Sequence, residues 1–145
     1  MADPALGHEA VFKIAKDGQS LVEFSGTDAD GDAIGLSGLR FTPSLLGSPI
    51  LREGNLDAQY VVVPAKSRQI TFSVDDLAIT RAIVDVEEIG TKVDWELGRY
   101  NDTAGNEKRT GKGVIIDSVN ERDWLGKSSF AVTVQVQGAV TVGTY

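Results

Sequence analysis

Ser129-Phe130-Ala131-Val132-Thr133-Val134-Gln135-Val136-Gln137 sets Phe130, Val132, Val134 and Val136 on one side of an extended chain and Ser129, Thr133, Gln135 and Gln137 on the other. A period of two with one apolar and one polar face is the mark of a half-buried β-strand. The same rhythm runs through Gln69 to Val74, where Ile70, Phe72 and Val74 alternate with Gln69, Thr71 and Ser73. It returns in Lys92 to Leu97, with Val93, Trp95 and Leu97 opposite Lys92, Asp94 and Glu96. Less regular strands are predicted over Glu9 to Ala15, Gln19 to Phe24, Gln59 to Val63 and Gly113 to Val119, bounded by turn residues such as Lys16-Asp17-Gly18. Seven strands make a mainly β domain, and the 16 glycines against 4 prolines supply the turns it needs.

At 145 residues the chain is read as one domain, long enough to bury its own core. Hydrophobic content of 41% and charged content of 24% are those of an ordinary globular protein, and no apolar run is long enough to span a membrane as a helix. A net charge of −7 and a pI near 4.6 oppose tight nucleic-acid binding, which needs clustered Lys and Arg to neutralise phosphates. Zero cysteines and the single His8 remove disulfides, thiol nucleophiles, Cys/His zinc sites and the usual hydrolase triads. His8 lies in a polar segment near the N-terminus, where no basic and apolar leader pattern stands, so synthesis in the cytosol is the expectation.

One stretch departs from the strand rhythm. From Asp76 to Gly90, Ile79, Ala82, Ile83, Val86 and Ile89 recur at steps of three and four, which predicts an amphipathic helix over about 76–90. Asp75 or Asp76 would cap it, Gly90 would end it, and Arg81 would pair with Asp85 on its outer side. The stretch from about 25 to 58 has no period and holds Gly26, Gly31, Gly35, Gly38, Gly47 and Gly54. Its Leu39, Phe41, Leu45, Leu46, Ile50, Leu51 and Leu56 oppose disorder, so it reads as an ordered arm or hairpin in need of a partner surface.

Motifs that carry chemistry fail on their details. Asp28-Ala29-Asp30-Gly31-Asp32 resembles the start of a calcium loop, but its sixth position is Ala33 and its twelfth is Leu39, where glycine and a bidentate glutamate are needed. Gly105 to Gly113 and Gly126-Lys127-Ser128 imitate a phosphate loop, yet their glycine spacing is wrong and strands follow instead of a helix. Lys108, Arg109 and Lys112 then read as a solvated hairpin tip or a basic contact to an acidic neighbour. Adjacent acids in Asp75/Asp76 and Glu87/Glu88 point about 100° apart on a helix and do not converge on one site. Trp95 stands on the apolar side of its strand and reads as core, whereas Trp124, in a polar loop, is the better exposed contact.

Taken in order, Gln69 to Val74, a helix, Gly90-Thr91-Lys92-Val93-Asp94-Trp95-Glu96-Leu97, Arg109 to Ile116 and Ser128 to Gly138 resemble the tail tube proteins, or major tail proteins, of long-tailed bacteriophages. The resemblance covers about half the chain and consists of strand, helix and turn patterns without a catalytic signature. It implies an antiparallel β-sandwich or half-barrel with one flanking helix and a long loop between early strands, beside which the 139–145 end is a short C-terminal arm or an added strand. It also implies homohexameric rings that stack into a conduit for the genome, residence in the virion, no enzyme activity and no cofactor or metal. Partners would be further copies of the chain, with tape-measure, tail-tip and tail-terminator proteins, while DNA passes without specific binding and the chain does not enter a membrane.

Within that frame, Leu39, Phe41, Leu45, Leu46, Ile50 and Leu51 are expected at subunit contacts, because so many apolar side chains on one connection call for a cover. Asp94, Glu96, Thr133, Gln135 and Gln137 are candidates to line the lumen, being the polar sides of the most regular strands. The acidity of the chain would then gather on the lumenal face and repel phosphate. Two alternatives share the composition: a tube protein of a contractile tail or secretion system, and a carbohydrate-binding β-sandwich using Trp124.

Overall fold

The computed structural model describes residues 10–27, 31, 33–50, 59–100 and 103–145, with the backbone alone for 45–50 and 59–66. Seven strands form one antiparallel sheet: β1 (Val11–Lys16), β2 (Val22–Glu23), β3 (Ser37–Ile50), β4 (Gln59–Asp75), β5 (Lys92–Gly98), β6 (Glu107–Arg122) and β7 (Ser128–Thr144). Their order across the sheet is β2-β1-β5-β6-β7-β4-β3. His8, Leu51 and all but Gly31 of the Asp28 to Asp32 loop lie outside the described residues.

The sheet curls onto itself. β1 and β4 stand four strands apart, about 19 Å on a flat sheet, yet the rings of Phe12 and Phe72 are 4.9 Å apart. Phe41 on β3 and Trp95 on β5, also four strands apart, have ring centroids 5.8 Å from each other. One face is thus folded inward as the core, where Ile14, Ile70, Val93, Ile115, Phe130, Val132 and Val134 are buried with those aromatics. The expected half-barrel is made from a single strongly curved sheet, left unclosed between β2 and β3.

Gly111 and Gly113, which gave β6 the look of a phosphate loop, serve this packing. A Cβ at Gly111 would stand 2.8 Å from the Trp95 ring, and one at Gly113 would stand 2.7 Å from a Val134 methyl and 2.8 Å from the Gln135 carbonyl oxygen. Lys108, Arg109 and Lys112 therefore lie within a central strand, paired with β5 and β7, rather than at a hairpin tip.

One expectation is corrected in its bounds, and of the two readings of the C-terminal end the added strand is the one observed. The stretch read as an irregular connection becomes regular from Ser37 on: β3 pairs with β4 from Ser37↔Ser73 to Ile50↔Gln59. Pro43 and Pro49 broke the alternation in sequence, and an edge strand is the place where proline is tolerated. The C-terminal segment is likewise strand, since β7 continues to Thr144 and pairs with β6 from Ser128 to Thr144.

The helix is shorter than its period suggested. α1 spans Ala78–Val84 and is followed by a 3-10 turn, Val86–Glu88. Leu77, not an aspartate, is the N-cap, and its backbone N–H donates to the Thr80 hydroxyl at 2.9 Å. Asp85 ends the helix by accepting from the Val86 N–H at 2.7 Å, so the next turn starts anew. Arg81 pairs with Asp76 at 2.8 Å instead of Asp85. Thr80, Ile83 and Val84 face the core while Ile89 stays exposed, and the Ser118 hydroxyl donates to the Val84 carbonyl at 2.6 Å to pin the helix on β6.

Candidate assembly site

Because the inward side of each strand is fixed by the core, its outward side follows from register. Lys92, Val114, Gln135, Gln69 and Thr42 form one row across β5, β6, β7, β4 and β3. A second row runs Asp117, Thr133, Thr71 and Arg40, and a third joins Asp94, Lys112 and Gln137. Glu96 lies on the same face, between Lys13 and Thr110. The five residues singled out as polar faces of the regular strands are thus brought onto one face of the sheet, opposite the core, although Glu96 is buried there at 7% exposure.

That surface is bound together by its own side chains. The Gln69 amide donates to Gln135 Oε1 at 3.2 Å, and Gln135 Nε2 donates to the Arg68 carbonyl at 3.1 Å. Asp94 lies 3.0 Å from Lys112 Nζ, which also meets Asp17 at 2.7 Å. Glu96 sits beside Lys13 at 3.5 Å and Lys108 at 3.9 Å and accepts from the Tyr145 hydroxyl at 3.1 Å. The two acids named for this face thus each have lysines of neighbouring strands beside them. Alternation in a single strand could not show those partners, which come from residues as distant in sequence as Lys13 and Glu96.

Lys112 donates a hydrogen bond to Asp17 that, with their mutual attraction, holds the Asp17 carboxyl below its ordinary range, and Asp17 followed by Asp94 pushes the Lys112 ammonium up. Hydrogen bonds from Lys16 and then Thr91 lower Glu88 in the same way. Lowered carboxylates stabilise the fold above the ordinary carboxylate range near pH 4 and lose that contribution as pH falls through their folded values. The raised lysine contributes below about pH 10 and loses it as pH rises further. Urea midpoints measured from pH 7 to pH 2.5 should fall on the acid side, with a shallower fall in Lys112→Met.

β2 and β3 bound the sheet, and two further edges open within it among the described residues: β4 pairs with β7 from Asp75↔Ser129 only as far as Gln69↔Gln135, and β5 pairs with β6 from Gly98↔Lys108 only as far as Lys92↔Val114. Exposed apolar residues mark the two interior gaps: Val142 on β7, and Ile116 and Val119 on β6. Beyond Gln69 and Thr42, β3 and β4 pair with each other alone, which makes a two-stranded ribbon leaving the body.

Of the apolar residues expected at subunit contacts, Leu39 and Phe41 pack against the chain's own core, Phe41 beside Trp95. Leu45, Leu46 and Ile50 lie on the ribbon, where only the backbone is described, and Leu51 lies outside the described residues.

No protein-family model and no curated protein sequence matches the chain. Solved structures do. A chain from the tail of an empty gene transfer agent particle, determined with C6 symmetry, superposes with a TM-score of 0.64 over 95% of this chain and 98% of that one, at 10% identity. The SPP1 tail tube gives a TM-score of 0.64 over 98% and 80% of the two chains, at 11% identity. This chain has the tail-tube fold. A chain of the native gene transfer agent virion agrees, with a TM-score of 0.59 over 95% and 98% at 12% identity. At such identities the tail-tube fold is held by its pattern of core faces and pairings, which also explains why the recognisable portion of the sequence was its alternating strands.

Proposed function

We propose that the chain is a structural subunit of a bacteriophage tail tube, forming homohexameric rings that stack into the conduit through which the genome passes. The observation that carries this reading is the unclosed sheet: one face is buried, the other is polar, and the edges at β3, β6 and β7 await strands from other copies. Unpaired edges of this length invite association, and closing a ring satisfies them. The likeness to the C6-symmetric gene transfer agent tail supports a sixfold ring.

In this reading the polar face, with Asp94, Glu96, Thr133, Gln135 and Gln137, lines the lumen. Asp94 and Glu96 are each paired with lysines and the Gln69 and Gln135 amides hydrogen-bond across strands, while the net charge of −7 discourages adhesion of DNA. The ribbon of β3 and β4, bearing Leu45, Leu46 and Ile50 and leading to Leu51, reaches the adjoining ring. The chain acts by shape rather than catalysis, takes no cofactor, resides in the virion tail, and meets tape-measure, tail-tip and terminator proteins at the ends of the tube. Electron microscopy of the purified chain tests the reading, with hollow sixfold tubes expected.

A further inference from the structure

β4 and β7 pair from Asp75↔Ser129 to Gln69↔Gln135 and then separate, although β4 reaches back to Gln59 and β7 on to Thr144. The side-chain pattern gives one reason, because the next pair would set Arg68 against the buried Val136 on the core side. On β7 the parting is completed by a bulge. Gln137 pairs with Lys112 and Thr141 with Thr110, so residues 138–140 stand opposite Gly111 alone, and Gly138 takes a φ of +73° to allow it.

One side chain stands at the fork. Gln135 Nε2 donates to the Arg68 carbonyl at 3.1 Å and to the Ser67 hydroxyl at 3.3 Å, and its Oε1 accepts from Gln69 Nε2 at 3.2 Å. A single residue of β7 thus holds three consecutive residues of β4, with the donor and the acceptor end of its amide both engaged. Pro43, the register partner of Arg68 on β3, has no N–H to offer that carbonyl, so this donor comes from the β7 side. Gln135 is half-buried, and its bonds are therefore less open to exchange with water than those of a free surface amide.

We propose that Gln135 is a positioning residue: its amide, clamped on Ser67, Arg68 and Gln69, fixes the direction in which the ribbon of β3 and β4 leaves the body and so aligns it for the adjoining ring. The alignment rests on the tube reading above, whereas the clamp does not. A two-stranded ribbon without further neighbours holds its own shape weakly, so the course of its far end is governed at its base. The leverage is large. From Ser67 to Gln59 β4 runs about 26 Å at about 3.3 Å per residue, and a tilt of about 10° at the fork moves its end by about 5 Å.

The sequence contains no cysteine, so a pair of nitroxide labels can be placed without interference. Ser48→Cys on the ribbon and Thr141→Cys on β7 carry them, and double electron–electron resonance on the dilute, unassembled chain reads the width of their distance distribution. Gln135→Leu keeps the bulk and loses the amide, and Gln135→Glu, as a carboxylate, cannot donate to a carbonyl; each should widen the distribution about twofold. Thr71→Val, on the same face within the paired part of β4, should leave it as it was. Assembly of the unlabelled Gln135→Leu chain, followed by light scattering, should slow about tenfold, since a ribbon that is no longer held must be ordered on docking. An unchanged width in both Gln135 variants overturns the clamp, and so does failure of both to fold, because a residue that only directs the ribbon is dispensable to the body. A widened distribution with normal assembly overturns the alignment alone. Absence of tubes from the unmodified protein overturns the tube reading, and the widths still decide the clamp.

Discussion

Trp95→Ala should cost about 3–5 kcal/mol of folding stability, the range for emptying a large aromatic site in a packed core. Trp95 is 1% exposed, sits over the bare backbone of Gly111, and touches Phe41 from the far side of the curled sheet. Its indole N–H donates to the Lys112 carbonyl at 3.2 Å. Removing it leaves a cavity that glycine cannot help to fill, and it loosens the contact that folds β3 over β5. Urea unfolding of the monomer would show a large drop in midpoint with little change in slope. Trp95→Phe retains the ring contact and loses the hydrogen bond, so about 1 kcal/mol should be recoverable as its separate effect. Total stability for a domain of this size is about 5–15 kcal/mol, so the alanine variant stands near the limit of folding. A cost below about 1 kcal/mol would mean that the sheet does not curl around this residue.

Excising the ribbon should abolish assembly and spare the fold. Joining Ser44 to Ser67, which are register partners, through an Asn-Gly turn removes the distal parts of β3 and β4 and the connection between them. No other strand pairs with the removed backbone among the described residues, and the described core lies outside it. The body should therefore unfold within about 1 kcal/mol of the unmodified chain, as surface changes away from the core do. Mass photometry should then find no stacked assemblies at concentrations where the unmodified protein forms them. Normal tubes from the excised variant would show that the ribbon does not join rings.

Alternation carried most of the fold into view. Val93, Trp95 and Leu97, or Phe130 through Val136, could lie only on one side of a strand, and the core took those sides. β3 stayed hidden because Gly38, Pro43, Gly47 and Pro49 interrupt its pattern, and an edge strand with one neighbour tolerates such breaks. The helix lost its second half to Asp85, whose carboxylate caps a new turn. Glu96 was legible as polar but not as partnered, since Lys13, Lys108 and Tyr145 reach it from β1, β6 and the C-terminus. Pairing across a sheet depends on register, and register arises from the whole fold rather than from any one strand.

If this curved, open sheet completes itself with other copies of the chain, cryo-electron microscopy of the purified, concentrated protein will find hollow tubes of stacked sixfold rings, with Gln69, Gln135 and Gln137 facing the lumen. Particles that remain monomeric at every concentration, or tubes whose inner wall is built from another face of the sheet, would contradict this reading.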